Sequence, residues 1–260
     1  MPIANLMQVS WAVHSDPGLH RSQNEDNYGA RPDLGLFVVA DGMGGHVGGE
    51  VASRLAVEAI QNAVDSIAMH GPDETWPIPF DRSLGLDGNR LRAGFALANR
   101  SIAERSLSEE MLRGMATTAV AVLVTGASAA LAHVGDSRAY LYRANQFTRL
   151  TRDHSWVEEQ VQTGMLSEME AREHPWRHIV TKALSGGVLD VEVTELQLKE
   201  KDRLLLCSDG LTVVMPDKEI SNIVATIGDP KAACDALVHH ANDCGGPDNV
   251  TTLIIDINVD

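Results

Sequence analysis

Four aspartates stand where an apolar stretch of the sequence ends or is about to begin. Asp41 follows the run 34–40, Asp136 and Asp209 each have a glycine beside them, and Asp248 precedes the last apolar run. One Asp-Gly pair by itself is typical of a turn. Four such positions at strand ends indicate more, because the ends of strands in packed sheets meet at an edge of the core.

Carboxylates that converge cannot all remain ionised unless some take up protons or cations bind between them. Ligand sets made only of oxygen favour hard ions such as Mg²⁺ or Mn²⁺ over zinc. No His-x-x-x-His or Cys-x-x-Cys motif lies near the four aspartates. A pair of such ions bridged by one carboxylate can hold a water, lower its pKa and direct it at a phosphorus atom.

A basic and acidic segment near the N-terminus is the candidate partner for a phosphate. Arg21 precedes Glu25 and Asp26 by four and five residues. A guanidinium can bind a phosphoryl group in a bidentate manner, while the two acids hold waters on the metals. The alternative is a solvated turn with a local ion pair.

The glycine-rich stretch 42–50 opens a helix and could hold a phosphate at the helix N-terminus. It is not a Walker loop, since no Gly-Lys-Ser/Thr follows, and it lacks the spacing of a dinucleotide fingerprint. We therefore expect its glycines to let the backbone pass close to a metal cluster, with the Gly42 carbonyl as a ligand.

The elements that must position these residues follow from the hydrophobic pattern. Strands are predicted at 34–40, 117–124, 129–134, 139–142, 147–150, 191–198, 203–207 and 249–257. Helices are predicted at 51–69, 91–112, 217–227 and 230–243, and a polar helical stretch broken by Gly164 at 154–173. Grouped strands with helices in pairs between them predict an α+β fold, in which two antiparallel sheets pack face to face and helix pairs flank them.

The composition excludes several classes of protein. With 260 residues, 44% of them hydrophobic, the chain can bury a substantial core, so disorder is disfavoured. A net charge of −15 argues against nucleic acid and anionic membranes as partners, although acidity also simply favours solubility. No run is long enough to cross a membrane and the first residues do not resemble a secretory signal. Three cysteines without a disulfide or zinc spacing predict a cytoplasmic protein.

Six ordered motifs together resemble the bacterial metal-dependent PPM-type Ser/Thr protein phosphatases, over about residues 10–257. The motifs are Arg21-x-x-Asn24-Glu25-Asp26, Asp41-Gly42-Met43-Gly44-Gly45-His46, Gly135-Asp136-Ser137-Arg138, Leu150-Thr151-Arg152-Asp153-His154-Ser155, Ser208-Asp209-Gly210-Leu211 and Asp248-Asn249-Val250-Thr251. The resemblance implies one domain over 1–260, built as a β-sandwich flanked by helix pairs. It also implies a flap segment at 153–189 above the site; the role of loop 69–89 stays open.

The resemblance also implies two Mn²⁺ or Mg²⁺ ions and assigns their ligands residue by residue. Asp41 would bridge both ions, Asp209 and Asp248 would complete the first, and Glu25 and the Gly42 carbonyl would serve the second. Asp136, with Asp209, matches the position of a third metal in bacterial members.

Substrate and proton roles are carried over in the same way. Arg21 would bind the substrate phosphate and Asp26 would orient a metal-bound water. Animal members have a histidine directly after the Asp-Gly, where this chain has Met43, and His46 comes three residues later. His46 is a candidate general acid; the alternatives are that it packs against or caps the following helix, with water on a third metal as the acid. Asp16 matches a recurrent position of unassigned role.

The function implied is hydrolysis of phosphoserine and phosphothreonine on proteins by metal-activated water, opposing a eukaryotic-type Ser/Thr kinase in bacterial signalling. The partners would be phosphorylated proteins, including such a kinase or its targets, with neither nucleic acid nor membrane. Two alternatives stay open: a catalytically weak phosphoprotein-binding sensor, and a metallohydrolase acting on small phosphoesters.

Overall fold

Two antiparallel β-sheets form the centre of the molecule. The computed structural model describes residues 7–44 and 48–259. The first sheet contains, in spatial order, β1 (Met7–Asp16), β11 (Val250–Val259), β10 (Arg203–Cys207), β7 (Arg138–Arg143) and β8 (Gln146–Arg149). The second contains β2 (Asp26–Arg31), β3 (Leu36–Met43), β5 (Ala119–Thr125), β6 (Ser128–Val134) and β9 (Glu192–Gln197), and the short β4 (Ala116–Thr117) pairs with the end of β3.

The alternation of side chains along each strand builds three layers of core. In β3, Phe37 and Val39 point between the two sheets, where they meet Leu206 and Ile255 of the first sheet. The alternate residues of β3 face outward and pack under α1 (Gly48–Ser66) and α2 (Leu86–Ser108). The outer face of the first sheet is covered by α6 (Asp217–Thr226) and α7 (Pro230–Asp243). The predicted α+β sandwich flanked by helix pairs is therefore confirmed.

Several elements differ from the sequence prediction. β1 and β2 were not predicted, and the predicted strand 117–124 is divided into β4 and β5. The two helices of the first pair each begin earlier than predicted, and the end of the second is a separate 3₁₀ turn at Glu110–Leu112. A short helix, α5 (Asp209–Thr212), starts at one of the candidate metal ligands.

The chain between β8 and β9 leaves the sandwich and carries α3 (Trp156–Gln162) and α4 (Glu168–Glu173). Ser155 and Ser167 cap these helices with their hydroxyls, and Ser167 forms a capping box with Glu170. The segment rejoins the sandwich at Leu184, where the backbones of Thr117 and Leu184 exchange two hydrogen bonds. The flap segment is thus tied to the second sheet where it rejoins the body.

None of the helices within residues 7–44 and 48–259 is long and apolar enough to cross a membrane. The three cysteines are free thiols: Cys207 and Cys234 are buried and Cys244 is exposed. Burial raises the pKa of the Cys207 thiol to about 12, so that thiol stays protonated and inert at neutral pH.

Candidate active site

Pairing of β2 with β3 brings the first candidate residues together. Asp26 lies directly opposite Asp41 in this antiparallel register. The Gly42 N–H donates to the carbonyl of Glu25 at 3.2 Å, which fixes the segment before β2 against the end of β3. A Cβ on Gly42 would lie 2.1 Å from the Gly49 carbonyl oxygen, so the close passage of the backbone here requires glycine.

The first sheet contributes Asp209, which begins α5 just after β10. The preceding residue, Ser208, donates from its hydroxyl to Asp26 Oδ2 at 2.7 Å, and Thr251 of β11 donates to the same oxygen at 2.7 Å. The carboxyl groups of Asp41 and Asp209 lie close enough that the charge of Asp209 raises the pKa of Asp41. The ends of strands from both sheets therefore meet at one place, as the sequence pattern predicts.

Asp248 and Asn249 precede β11 and hold the loop that carries Arg21. The Arg21 guanidinium donates to Asp248 Oδ2 at 2.8 Å. The Asn249 side chain accepts from the Glu25 N–H at 2.8 Å and donates to the Pro17 and Gln23 carbonyls, each at 2.9 Å. One amide thus fixes the N-terminal loop on both sides of Arg21.

Asp16 has a supporting role in the same loop. Its Oδ1 accepts from the Gly18 N–H at 2.8 Å and from Asn242 Nδ2 at 3.0 Å. Gly18 has a φ of +76°, and a Cβ there would lie 2.2 Å from the Asp248 carbonyl oxygen. Asp16 therefore stabilises a turn that packs directly against Asp248, and glycine is the residue that fits the turn.

Asp136 follows β6 and is buried, with 8% of its surface exposed. Gly135 before it has a φ of +103°, and a Cβ there would lie 2.4 Å from Thr118 Cβ. Ser137 after it shares a hydrogen bond with the Thr118 hydroxyl at 2.7 Å, and the Thr118 N–H donates to the Asp41 carbonyl at 2.9 Å. These contacts hold Asp136 close to Asp41.

Burial and mutual repulsion raise the pKa values of several carboxyl groups in this cluster. Burial, followed by the charges of Asp26, Asp209 and Asp136, raises the pKa of Asp41 well above its usual range. Burial also raises the pKa of Asp136, and the charge of Asp209 adds to this effect. Burial raises the pKa of Asp209 in the same way, and the charge of Asp248 adds to it. Burial raises the pKa of Asp26 to about 7, against the hydroxyls of Ser208 and Thr251 that lower it. The protein therefore gathers negative charge that protons or cations must neutralise.

The chemistry of this cluster fits hard divalent cations. All its side-chain donors are carboxylate oxygens, the ligands that Mn²⁺ and Mg²⁺ prefer. Asp26 Oδ1 is buried without a hydrogen-bond partner, so one polar atom is left for a ligand or its water. Asp248 is turned toward the Arg21 guanidinium and the Asn249 N–H, at 2.8 and 2.9 Å.

A different trio, outside the predicted set, has donor atoms within 4.8 Å of one another: His133, His154 and Glu192. This spacing would allow the three side chains to share a metal ion, but their hydrogen bonds disfavour one. His154 Nδ1 accepts from the Gly135 N–H at 3.1 Å, so Nε2 carries the proton and donates to Glu192 at 3.0 Å. A metal-bound histidine instead donates from its second nitrogen. We assign the trio as a hydrogen-bonded support of the turn before Asp136.

The structure brings together Glu25, Asp26, Asp41, Gly42, Asp136, Asp209 and Asp248, while Arg21 lies at the rim with half of its side chain exposed. His46 falls outside the described residues. Sequence reasoning missed Ser208, Thr251 and Asn249 as the groups that position Asp26 and Glu25. Their signal was present, because each lies inside a motif that also holds a candidate aspartate.

Replacing Asn249 by Ala should lower the free energy of unfolding by about 1–3 kcal/mol, because the Glu25 N–H and two carbonyls lose their partner. Urea unfolding measures the change. Asn258→Ala is the matched control, since Asn258 lies on the strand that follows Asn249, β11, and makes one exposed hydrogen bond to Ser10. Equal losses in the two variants would contradict the assigned role of Asn249.

Comparisons with known proteins complete the description of this site. A family model described as "Protein phosphatase 2C" matches residues 20–245. The chain is 35% identical over 252 residues to the serine/threonine phosphatase Stp of Listeria welshimeri, covering 94% of each chain.

Solved structures give the same result. A crystal structure of the serine/threonine phosphatase PstP/Ppp of Mycobacterium tuberculosis matches with a TM-score of 0.85 and 35% identity, over 96% of this chain and 99% of that chain. A structure of the catalytic domain of PstP in complex with two manganese ions matches with a TM-score of 0.84 and 34% identity, over 97% and 99%.

Proposed function

The chain belongs to the protein phosphatase 2C family, and on this premise we propose that its carboxylate cluster hydrolyses phosphoserine and phosphothreonine esters on proteins with the help of two Mn²⁺ or Mg²⁺ ions. The enzyme is a serine/threonine protein phosphatase, a phosphoric monoester hydrolase. The observation that supports the assignment of the site is the position of Asp26, which lies opposite Asp41 in one sheet and accepts hydrogen bonds from Ser208 and Thr251 at the ends of strands in the other sheet.

The residues that would hold the cations are those gathered at the sheet ends. We assign Asp41 as the carboxylate shared by two ions, Asp209 and Asp248 to one of them, and Glu25 and the Gly42 carbonyl to the other. Asp136 and Asp209 would hold a third. When bound, the cations supply Lewis acidity toward a phosphoryl oxygen and lower the pKa of water.

Asp26 is placed to orient the attacking water and to take its proton. Its Oδ2 is held by the hydroxyls of Ser208 and Thr251, so its Oδ1 has a fixed direction. Burial raises the pKa of Asp26 to about 7 when no cation is bound, and bound cations would favour the ionised form, which can accept a proton from water.

Arg21 is placed to bind the substrate phosphate at the rim of the cluster. Its guanidinium has five donors in a planar fork, of which one reaches Asp248. The charges of Asp248, Glu25 and Asp41 keep it near the cluster and raise its pKa. Phosphate bound there is directed toward the carboxylates and their cations.

Arg21→Ala should raise KM for a phosphopeptide by about 10- to 100-fold, since a bidentate charged contact is lost, with a smaller effect on kcat. Arg21→Lys should recover part of the loss, because the charge remains without the fork. Steady-state kinetics measure both, and Arg31→Ala is the control, an exposed arginine paired with Asp33 and Asp65. A loss confined to kcat would contradict phosphate binding by Arg21.

The substrates are phosphorylated proteins, and we propose that they include a Ser/Thr kinase or its targets in bacterial signalling. The three free thiols suit a reducing cytoplasm, which we propose as its location.

A phosphopeptide assay with Mn²⁺ tests the proposed function and its alternatives. Turnover of a phosphothreonine peptide supports it, whereas binding without turnover would favour a phosphoprotein sensor. A higher kcat/KM on nucleotides than on phosphopeptides would favour a small-phosphoester hydrolase.

A further inference from the structure

A cavity of about 500 Å³ lies between the flap segment and the residues that follow α5. Asp136 and Asp209 form part of its lining, so the cavity reaches the catalytic cluster. Apolar side chains line it from both sides, including Val157 and Ala171 from the flap and Met215 from the body. A side chain that neighbours the phosphorylated residue of a bound protein can therefore enter it.

The charged residues of this lining divide into paired and unpaired groups. Arg138 contacts Asp153 at 2.6 Å, and Arg149 contacts Glu158 at 3.2 Å, so these two arginines are neutralised within the protein. Asp217 accepts from the Tyr140 hydroxyl at 3.2 Å.

Arg172 and Arg177 are the unpaired cations of the cavity. Both are exposed, and within residues 7–44 and 48–259 neither guanidinium has an ion pair or a hydrogen bond. Glu168 is the unpaired carboxylate of the lining beyond the catalytic cluster. In a chain with a net charge of −15, most arginines pair with the abundant carboxylates. Four arginines have no ion pair within the described residues, namely Arg100, Arg152, Arg172 and Arg177, and two of these four line this one cavity.

We propose that this cavity is a second substrate subsite, in which Arg172 and Arg177 bind an anionic side chain near the phosphorylated serine or threonine. Planar guanidinium groups bind carboxylate and phosphate through the same bidentate contacts. The ligand is therefore an acidic residue or a second phosphorylated residue of the same protein substrate. The proposal rests on the proposed function, because it concerns the choice of phosphoprotein.

The test compares three phosphothreonine peptides that differ only in their flanking residues: alanine, glutamate, or a non-hydrolysable phosphonate analogue of phosphoserine. For the wild type we expect kcat/KM with the anionic flanks to exceed that with alanine flanks by about three- to tenfold, as two partly exposed ion pairs allow. A gain with both anions supports a subsite for carboxylate and phosphate, and a gain with the phosphonate alone supports a phosphate subsite.

Each variant is judged by the ratio of its kcat/KM with anionic flanks to its kcat/KM with alanine flanks. A change that affects all peptides equally cancels in this ratio. In the double variant R172A/R177A the ratio of anionic to alanine flanks should fall to about one, and in R172E/R177E it should fall below one. Arg100→Ala is the matched control, an exposed arginine on α2 that also lacks an ion pair in the described structure and lies outside the cavity; its ratio should match the wild type. Thermal unfolding verifies that each variant is folded.

Two results would overturn the subsite. One is a wild-type ratio of one with normal turnover of the alanine-flanked peptide; the other is a preference that survives in R172A/R177A. Failure of the wild type to hydrolyse both the alanine-flanked peptide and p-nitrophenyl phosphate would instead count against the proposed function.

Discussion

Asp41→Asn should lower kcat by about 10³-fold or more on phosphopeptides, the largest effect expected of any single substitution. Asp41 lies opposite Asp26, and the charges of Asp26, Asp209 and Asp136 all act on its carboxyl group, so it is the carboxylate at the centre of the cluster. The asparagine amide keeps the shape of the side chain but removes the negative charge that binds cations. Charged groups that stabilise a transition state contribute several kcal/mol to catalysis. Steady-state kinetics at saturating Mn²⁺ measure the loss.

The same substitution should increase stability when cations are absent. Because burial and neighbouring carboxylates raise the pKa of Asp41, its ionised form is disfavoured in the folded state, and a neutral amide relieves that cost. In EDTA at pH 8 we expect Asp41→Asn to unfold at a temperature several degrees above the wild type. Asp33→Asn, an exposed control, should change neither measurement. Full activity in Asp41→Asn, or a lower unfolding temperature in EDTA, would contradict this account.

Removal of divalent cations should abolish activity almost completely. Treatment with EDTA followed by desalting leaves the negative charges of Asp41, Asp136 and Asp209 without cations to neutralise them, in a setting that already raises the pKa of each group. Added Mn²⁺ or Mg²⁺ should restore turnover. Chelator already saturated with Mn²⁺ is the control for direct inhibition by EDTA. Equal hydrolysis of p-nitrophenyl phosphate with and without cations would exclude the proposed chemistry.

Cation binding should also be visible without any assay of activity. A ligand at 100 times its Kd stabilises the folded state by about 2.7 kcal/mol, which corresponds to roughly 5–10 °C for a chain of this size. We therefore expect Mn²⁺ to raise the unfolding temperature of the wild type by that amount and that of Asp41→Asn by much less.

Strands that are buried on both faces were predictable, whereas an edge strand was not. β3 and β10 each contain a continuous apolar run, at residues 36–40 and 204–207, and every residue of these runs is buried. β1 has Val9, Trp11 and Val13 on one face and Gln8, Ser10, Ala12 and His14 on the other, but the three larger apolar side chains are only partly buried. It is held by pairing with β11 at the other end of the chain, and short-range patterns carry no information about such a partner.

The first residues of α1 and α2 were not predicted, because several of these residues are poor helix formers and contacts with distant parts of the chain hold them in place. Glycine is a poor helix former, so the pattern favours a start at Val51, yet α1 begins at Gly48. A Cβ on Gly49 would lie 2.6 Å from Glu25 Oε1, so glycine makes room for the carboxylate. α2 begins at Leu86, and Glu195 of the distant strand β9 accepts from the N–H of Gly85, the residue before the helix, at 2.8 Å.

The identity of the candidate aspartates was predictable, but not the groups that orient them. Each aspartate ends or precedes a strong apolar run, so its place at a sheet end follows from the pattern alone. The hydrogen bonds to Asp26 join residues 182 and 225 positions apart in the chain. Contacts of such separation depend on how the two sheets dock, and only the folded structure provides that.

The two halves of the reactive centre belong to different sheets, which are joined by the apolar layer around Phe37, Val39 and Leu206. Sliding or hinging of one sheet past the other would dismantle the centre even if each sheet kept its own hydrogen bonds. A cation bound by carboxylates from both sheets would therefore link the two sheets at this end of the sandwich. Its removal would weaken the contact between the two sheets.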